Sequence, residues 1–578
     1  MTEDWWQSAV VYQIYPRSFK DSNGDGLGDL PGITIKLDYL AELGITAIWL
    51  CPVFRSPMAD NGYDISDYRG ISPGFGSLND METLIAEADK RGIKIFLDLV
   101  LNHTSDQHPW FKSAVSDPKS PYRDYYIFRK GADGKPPTNW RSIFGGPVWE
   151  SVPSGSAGAM DGGGEYYLHI FAKEQPDLNW ENPKLRQELY DMIHWWMDKG
   201  VAGFRIDAIS YIKKDPAYPN LPVDGPDGLA DLVPCCLVFP GIEKFLAELR
   251  DKVFKPRNAF TVAEAYGVRP EQLRDYAGEG GLFSAIFDFT YTDLENGIWY
   301  KTWLPSAAEL RDLIFRSQKG LLGKGRGAPY FENHDQNRSP NRYLHPEQWT
   351  REGKTMLGIL FFFLQGIPFI YQGQELGMTN YPWKSLDEFN DVSTFDQYQR
   401  ALAAGFSKDD AFRFIQHRSR DNARTPMLWD NSPNAGFSSG KPWLPVHPDY
   451  VSINAEAERQ DANSVFAFYR SMIALRKKHP DLFFAGDFIP HCEDNPSLIV
   501  YERSYQKEGR HERALVICNF SDEKQRLDIS NIGGKGAKGI DRGALVLLGN
   551  RRNAGASIGR ESSGNILLEP LEGLVLGL

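Results

Sequence analysis

From position 10 to about position 481, short runs of β-branched and aromatic residues alternate with longer stretches whose apolar positions recur every three or four residues. The short runs read as buried strands and the longer stretches as amphipathic helices, so their alternation predicts repeated βα units on a parallel sheet. Strands are predicted at 10–15, 46–50, 94–100, 203–207, 260–263, 284–289, 328–331 and 368–371. Between them, LNDMETLIAEADKRG, LRQELYDMIHWWMDKG and GIEKFLAELRDKVF carry helical patterns. Eight such units fit an α/β fold of the (β/α)8 TIM-barrel type.

Two stretches break the rhythm. Residues 104–178 are rich in Gly, Pro and aromatics and show no helix of useful length, which predicts a small inserted domain after the third strand. Residues 374 to about 463 carry turn-forming pairs and read as a loop excursion on the same face, before the helical SVFAFYRSMIALRKKHP. Beyond 483 the pattern becomes short alternating runs such as SLIVYERS and ALVICNF, which predicts a C-terminal antiparallel β-sandwich. The expected organisation is a barrel at 1–103 and 179–483, an inserted domain at 104–178 and a β domain at 484–578.

Composition narrows the function classes. Lys and Arg total 64 against 76 Asp and Glu, a net charge of −12 that argues against a nucleic-acid partner. The longest apolar run, 356–364, is too short to span a membrane and reads as a buried helix. The N-terminus lacks a basic-then-apolar leader pattern, so a cytoplasmic location is expected, and a monomer or weak homo-oligomer. Five cysteines without a CxxC pair suggest free, buried thiols. Aromatic residues make up 13% of the chain; a large core accounts for most such rings, but flat rings also grip sugars.

In a barrel of this kind, chemistry belongs at the C-terminal ends of the strands. Charged residues stand there repeatedly: DLVLNH carries Asp98 and His103, GFRIDA carries Arg205 and Asp207, VAEA carries Glu264, and FENHDQ carries His334 and Asp335. Any one carboxylate after a strand commonly caps a helix, whereas convergence of several on one rim points to acetal cleavage. That reaction needs an anion beside the oxocarbenium ion and a proton for the leaving oxygen. Asp207, two residues after Arg205 and so on the same strand face, is expected to be held ionised as nucleophile. Glu264, after an apolar run, suits the general acid/base, with Asp335 stabilising the transition state and His103 and His334 as uncharged donors to sugar hydroxyls.

DLVLNH, GFRIDAIS, TVAEAYG and ENHDQNR, in this order, resemble the four motif regions of the α-amylase superfamily, glycoside hydrolase family 13. With QPDLNW, NGYDISDY and SRDNARTPMLWD, the chain is similar to the oligo-1,6-glucosidase and α-glucosidase branch, which includes dextran glucosidases and sucrose isomerases. The resemblance implies a retaining exo-acting α-glucosidase on small oligosaccharides, with possible glucosyl transfer. It places Asp60 and Arg420 on the terminal glucose, Tyr63 stacked against it and Phe144 and Phe171 lining the pocket, and leaves Arg424 structural.

In DSNGDGLGD, oxygen-bearing Asp21, Asn23, Asp25 and Asp29 alternate with glycines, a pattern suited to a hard cation or to a metal-free Asx-turn loop. The resemblance implies one structural Ca2+ here, with the Leu27 carbonyl as a further ligand, and no organic cofactor. Ala208 departs from the Val usual in α-1,6-specific members, so QPDLN and Ala208 point to different linkages. The alternatives are a sucrose isomerase or sucrose-cleaving glucosyltransferase, whose arginine-rich loop is absent from NRSPNRYLHPEQ, and, more remotely, a non-catalytic interaction protein of the same fold.

Overall fold

Runs such as VYQI, AIWL and GFRID are buried at every position, as parallel strands covered on both faces must be. The computed structural model describes all residues except 1–3, 133, 153–163, 226, 279, 295–297, 301–303, 324, 508, 530–531, 533–543 and 559–564. Glu3 and most of the Gly/Ser-rich tract before Glu165 therefore lie outside the described residues.

Seven strands, β1 (Val11–Ile14), β2 (Ala47–Leu50), β3 (Lys94–Val100), β4 (Gly203–Asp207), β5 (Phe260–Glu264), β6 (Ala285–Phe287) and β7 (Phe369–Tyr371), form one parallel sheet ordered β6-β5-β4-β3-β2-β1-β7. The strand expected at 328–331 is not regular. Its segment nevertheless bridges the two edges: Ala328 N–H donates to the Ile286 carbonyl at 2.9 Å, and Phe369 N–H to the Pro329 carbonyl at 2.9 Å. Pro329 has no N–H to return, so a continuous ladder cannot run through it, yet the TIM-like barrel closes.

The helices LNDMETLIAEADK (Leu78–Lys90) and Pro183–Asp198 form as expected, each with a side-chain N-cap, Ser77 and Asn182. Met356–Phe362 lie buried in the helix Arg351–Phe362. Among the described residues no helix is long and apolar enough to cross a membrane.

Between β3 and β4, Phe128–Lys130, Glu165–Leu168 and Trp149–Ser151 make a three-stranded antiparallel sheet. A helix also forms there, Pro109–Ser116, contrary to expectation; Pro109 opens it and His108 caps it through the Trp110 N–H. The stretch after β7 is likewise more ordered than a loop, with helices Val392–Ala403 and Lys408–Arg418 capped by Asp391 and Ser407. The first buries Thr394, Gln397 and Ala401, small or polar residues that draw no apolar stripe in the sequence.

The C-terminal strands Asp487–His491, Leu498–Lys507, Arg510–Asn519, Gly573–Gly577 and Leu545–Gly549 form an antiparallel sheet, in that order. Leu527, Ile566 and Leu568 of a second, two-stranded sheet pack with Val500, Leu515 and Ile517 of the first in one apolar core. The five cysteines are free, four buried and Cys492 partly exposed rather than buried.

Candidate active site

Strand register brings the charged strand ends together. Arg205 on β4 lies beside Asp98 of β3 and Val262 of β5, two residues short of Glu264. Its guanidinium, fully buried, meets three carboxylates: Asp98 Oδ1 at 2.7 Å, Asp207 Oδ1 at 2.6 Å and Glu264 Oε1 at 2.7 Å. Asp98 is saturated, because its Oδ2 also accepts from Tyr63 OH at 2.9 Å and Trp49 Nε1 at 3.2 Å. Asp207 and Glu264 instead reach the cavity wall. The chain turns sharply after Asp207: Ala208 takes φ +43°, which a β-branched residue adopts less readily, and donates its N–H to Glu264 Oε2 at 3.0 Å.

One guanidinium is thus divided among three carboxylates. Burial raises the Asp207 carboxyl well above its ordinary range, Arg205 opposing and Glu264 adding to the rise, and burial raises Asp98 as well. Arg205 therefore opposes, but does not by itself offset, the effect of burial on Asp207.

Asp335 is the opposite case. Burial alone would raise it, but His334, Arg420 and Arg424 hold it well below the usual carboxylate range. Its Oδ2 lies 2.9 Å from His334 Nε2, and its Oδ1 accepts from Arg424 Nη2 at 2.8 Å and Arg420 Nη1 at 3.2 Å. Arg420 also meets Asp60 Oδ1 at 3.6 Å and is anchored by Asp391, whose Oδ1 accepts from its Nε at 2.9 Å. Gln175 Nε2 donates to Asp60 Oδ2 at 3.1 Å and lies 3.1 Å from His103 Nε2. Burial lowers His103 to about 4, which makes it the uncharged donor or acceptor expected.

These groups form the inner end of a cavity of about 1040 Å³, lined there by Asp60, Tyr63, His103, Asp207, Asp335 and Arg420. Phe144 and Phe171 complete the wall, their rings edge-to-face at 5.7 Å, with the Arg420 guanidinium 5.6 Å from the Phe144 ring centre. Arg205 and His334 stand behind the wall, at 1% and 0% exposure, rather than on it. His334 stacks on Tyr63, ring centres 5.5 Å apart, and lies 2.8 Å from Gln13 Nε2 through its Nδ1.

The α-amylase catalytic-domain model matches residues 13–486. The chain belongs to the α-amylase family, glycoside hydrolase family 13. It is 44% identical to an oligo-1,6-glucosidase of Parageobacillus thermoglucosidasius over 90% of this chain and 92% of that protein. It is 40% identical to a trehalose-6-phosphate hydrolase of Bacillus subtilis (strain 168), over 89% of this chain and 90% of that one. Among solved structures it superposes on isomaltulose synthase from Erwinia rhapontici NX5 with a TM-score of 0.89 and 37% identity, covering 100% of this chain and 99% of the other. This family 13 chain is an oligo-1,6-glucosidase-type glycoside hydrolase.

Three participants in this family 13 site escaped the sequence reading. Asp391, fully buried, both caps the helix Val392–Ala403 and anchors Arg420, so it ties the cavity's outer wall to its inner end. Arg424, expected to be structural, reaches Asp335 directly. Gln175 was noticed only as part of a motif, not as the link between Asp60 and His103. Only the motif position of Gln175 could have signalled its role; Asp391 lies in a stretch read as loop.

The 21–29 loop closes on its own hydrogen bonds. Asp21 accepts from the N–H groups of Asn23, Gly24 and Gly26, Asn23 from Asp25, Asp25 from Leu27, and Asp29 from Ser22 and Gly32. Among the described residues no three His, Cys, Asp or Glu side chains converge as metal ligands, so a cation here would need the Asn23 amide and Leu27 carbonyl oxygens as well. That all-oxygen set is chemically suited to Ca2+.

Proposed function

We propose that the enzyme is a retaining, exo-acting α-glucosidase that releases terminal non-reducing glucose from short α-linked oligosaccharides, α-1,6-linked ones foremost. One observation carries the reading: Asp207 and Glu264 share the Arg205 guanidinium at the inner end of a cavity that Asp60 and Arg420 close. Two carboxylates on the terminal nitrogens of one guanidinium favour the close spacing of a retaining pair. Asp207 attacks the anomeric carbon while Glu264 gives its proton to the departing oxygen, leaving a covalent β-glucosyl ester on Asp207. Glu264 then takes a proton from water, which attacks the same carbon and frees Asp207. Asp335, held anionic by two arginines, faces the developing positive charge. Another sugar hydroxyl can replace the water and give glucosyl transfer.

Isomaltose, maltose and sucrose should be offered in parallel and the products identified. Glucose from isomaltose faster than from maltose is the expected result; isomaltulose or trehalulose from sucrose would overturn it. Against the isomerase reading, Arg338 and Arg342 of NRSPNRYLHPEQ are buried and do not line the cavity.

Burial pushes Asp60 up to about 6, against the pull of Arg420. Its ionised form, the better acceptor for a sugar hydroxyl, is lost as pH falls through that value, so kcat/KM should drop below about pH 6. Asp60→Asn should lose that inflection along with most affinity; an unchanged acid limb would assign it to the Asp207–Glu264 pair instead.

We also infer one structural Ca2+ in this loop, for which Asp21, Asn23, Asp25, Asp29 and the Leu27 carbonyl would have to draw together, since no three of the carboxylates already converge there. Excess EGTA should lower Tm by several degrees, reversibly on adding Ca2+. An unmoved Tm in a metal-free preparation refilled with Ca2+ would leave the loop to its Asx turns.

A further inference from the structure

The inner end of the cavity holds the glucose; the outer end meets the rest of the substrate, and its charge is one-sided. Asp224, Asp227, Asp231, Asp293 and Asp396 line it. Two arginines stand among them, and each is already held by a carboxylate. Arg141 is clasped on all sides, by Asp224 through Nη1 at 2.7 Å, by Asp227 through both Nε and Nη2 at 2.7 Å, and by the Leu229 carbonyl at 3.2 Å from Nη2. Arg400 gives its Nε to Asp396 at 2.6 Å. The third cavity arginine, Arg420, is engaged by Asp391, Asp335 and Asp60 at the inner end. Among the described residues no cationic side chain of the wall is left without a carboxylate partner.

We propose that this outer end selects by charge, admitting neutral aglycones and rejecting phosphorylated or otherwise anionic ones. The proposal rests on the α-glucosidase reading and narrows it. A phosphate entering here would meet an excess of carboxylates, and each arginine it could reach already holds one. A cleft lined by one sign of charge also focuses its field, so an anion is repelled before contact. The charge pattern therefore separates this chain from a hydrolase of phosphorylated disaccharides, a distinction that overall similarity does not make.

The test uses a matched pair, 4-carbamoylphenyl and 4-carboxyphenyl α-glucoside, with trehalose 6-phosphate and isomaltose as a second comparison. The neutral aryl glucoside should be cleaved with kcat/KM about tenfold or more above the anionic one at low salt, the ratio shrinking in 0.5 M NaCl as screening sets in. Asp224→Asn/Asp227→Asn, which frees Arg141, should narrow the ratio at low salt, with circular dichroism and Tm reporting that the fold persists. If the double variant does not fold, Asp231→Asn removes one charge without releasing an arginine and should narrow the ratio in part. A wild-type ratio near one, or trehalose 6-phosphate turned over as well as isomaltose, overturns the charge filter while leaving the glucosidase reading intact. Failure to cleave either aryl glucoside overturns the glucosidase reading and the filter with it.

Discussion

Asp207→Asn should lose kcat/KM by on the order of 10⁴-fold or more, with the fold retained. The side-chain amide keeps an oxygen for the Arg205 hydrogen bond, so the packing around the guanidinium survives and Tm should move little. What disappears is the nucleophile, and no neighbour can replace it. Asp98 shares the same guanidinium, but both its oxygens are occupied and it is buried at 1% exposure. Chemical rescue separates the roles more sharply than the loss alone. In Asp207→Gly, azide can fill the vacated space and attack from the nucleophile's side, giving β-glucosyl azide. In Glu264→Ala the covalent β-glucosyl intermediate still forms from an activated aryl glucoside, and azide captures it from the opposite face as α-glucosyl azide. The same stereochemistry from both variants would remove Asp207 from the nucleophile's place; the two products interchanged would swap the assignments.

The strand ends were legible because a barrel converts position in sequence into position in space: a charged residue closing a buried run must lie on the rim. Asp207, Glu264 and Asp335 could be named on that ground. Their electrostatics could not, because the number of carboxylates meeting Arg205 depends on register between β3, β4 and β5, which no local pattern specifies. Asp391 was invisible for a related reason. Its helix buries Thr394, Gln397 and Ala401, so the apolar periodicity that would reveal it is missing, and its partner Arg420 is distant in sequence. The missing regular strand at 328–331 has a local cause, since Pro329 interrupts the ladder in a run otherwise fit for a strand. Helix Pro109–Ser116 was also signalled locally, by Pro at its first position, but its surroundings of Gly, Pro and aromatic residues obscured it.

Asp335→Asn should lower kcat/KM by roughly 10³-fold, mostly in kcat. The substitution preserves shape but removes the only charge that Arg424 Nη2 and Arg420 Nη1 share at this point of the wall. With Asp335 neutral, the two guanidinium groups keep the buried Asp391 and Arg420 keeps Asp60, so their positive charge faces the sugar with one carboxylate fewer. The oxocarbenium-like transition state carries positive charge that the ground-state glucoside lacks, so the penalty falls chiefly on the rate and less on binding. A cationic sugar mimic such as 1-deoxynojirimycin reads the same difference without turnover: its Kd should weaken much more than that of glucose. Equal weakening of both, with KM rather than kcat carrying the loss, would reduce Asp335 to a hydroxyl-binding residue. Arg424→Lys provides the complementary measurement, since it keeps the positive charge but loses the directed Nη2 bond to Asp335 and the Nε bond to the His334 carbonyl. A kcat loss in Arg424→Lys without a comparable rise in KM would show that holding Asp335 in place, and not charge alone, sets the transition-state field.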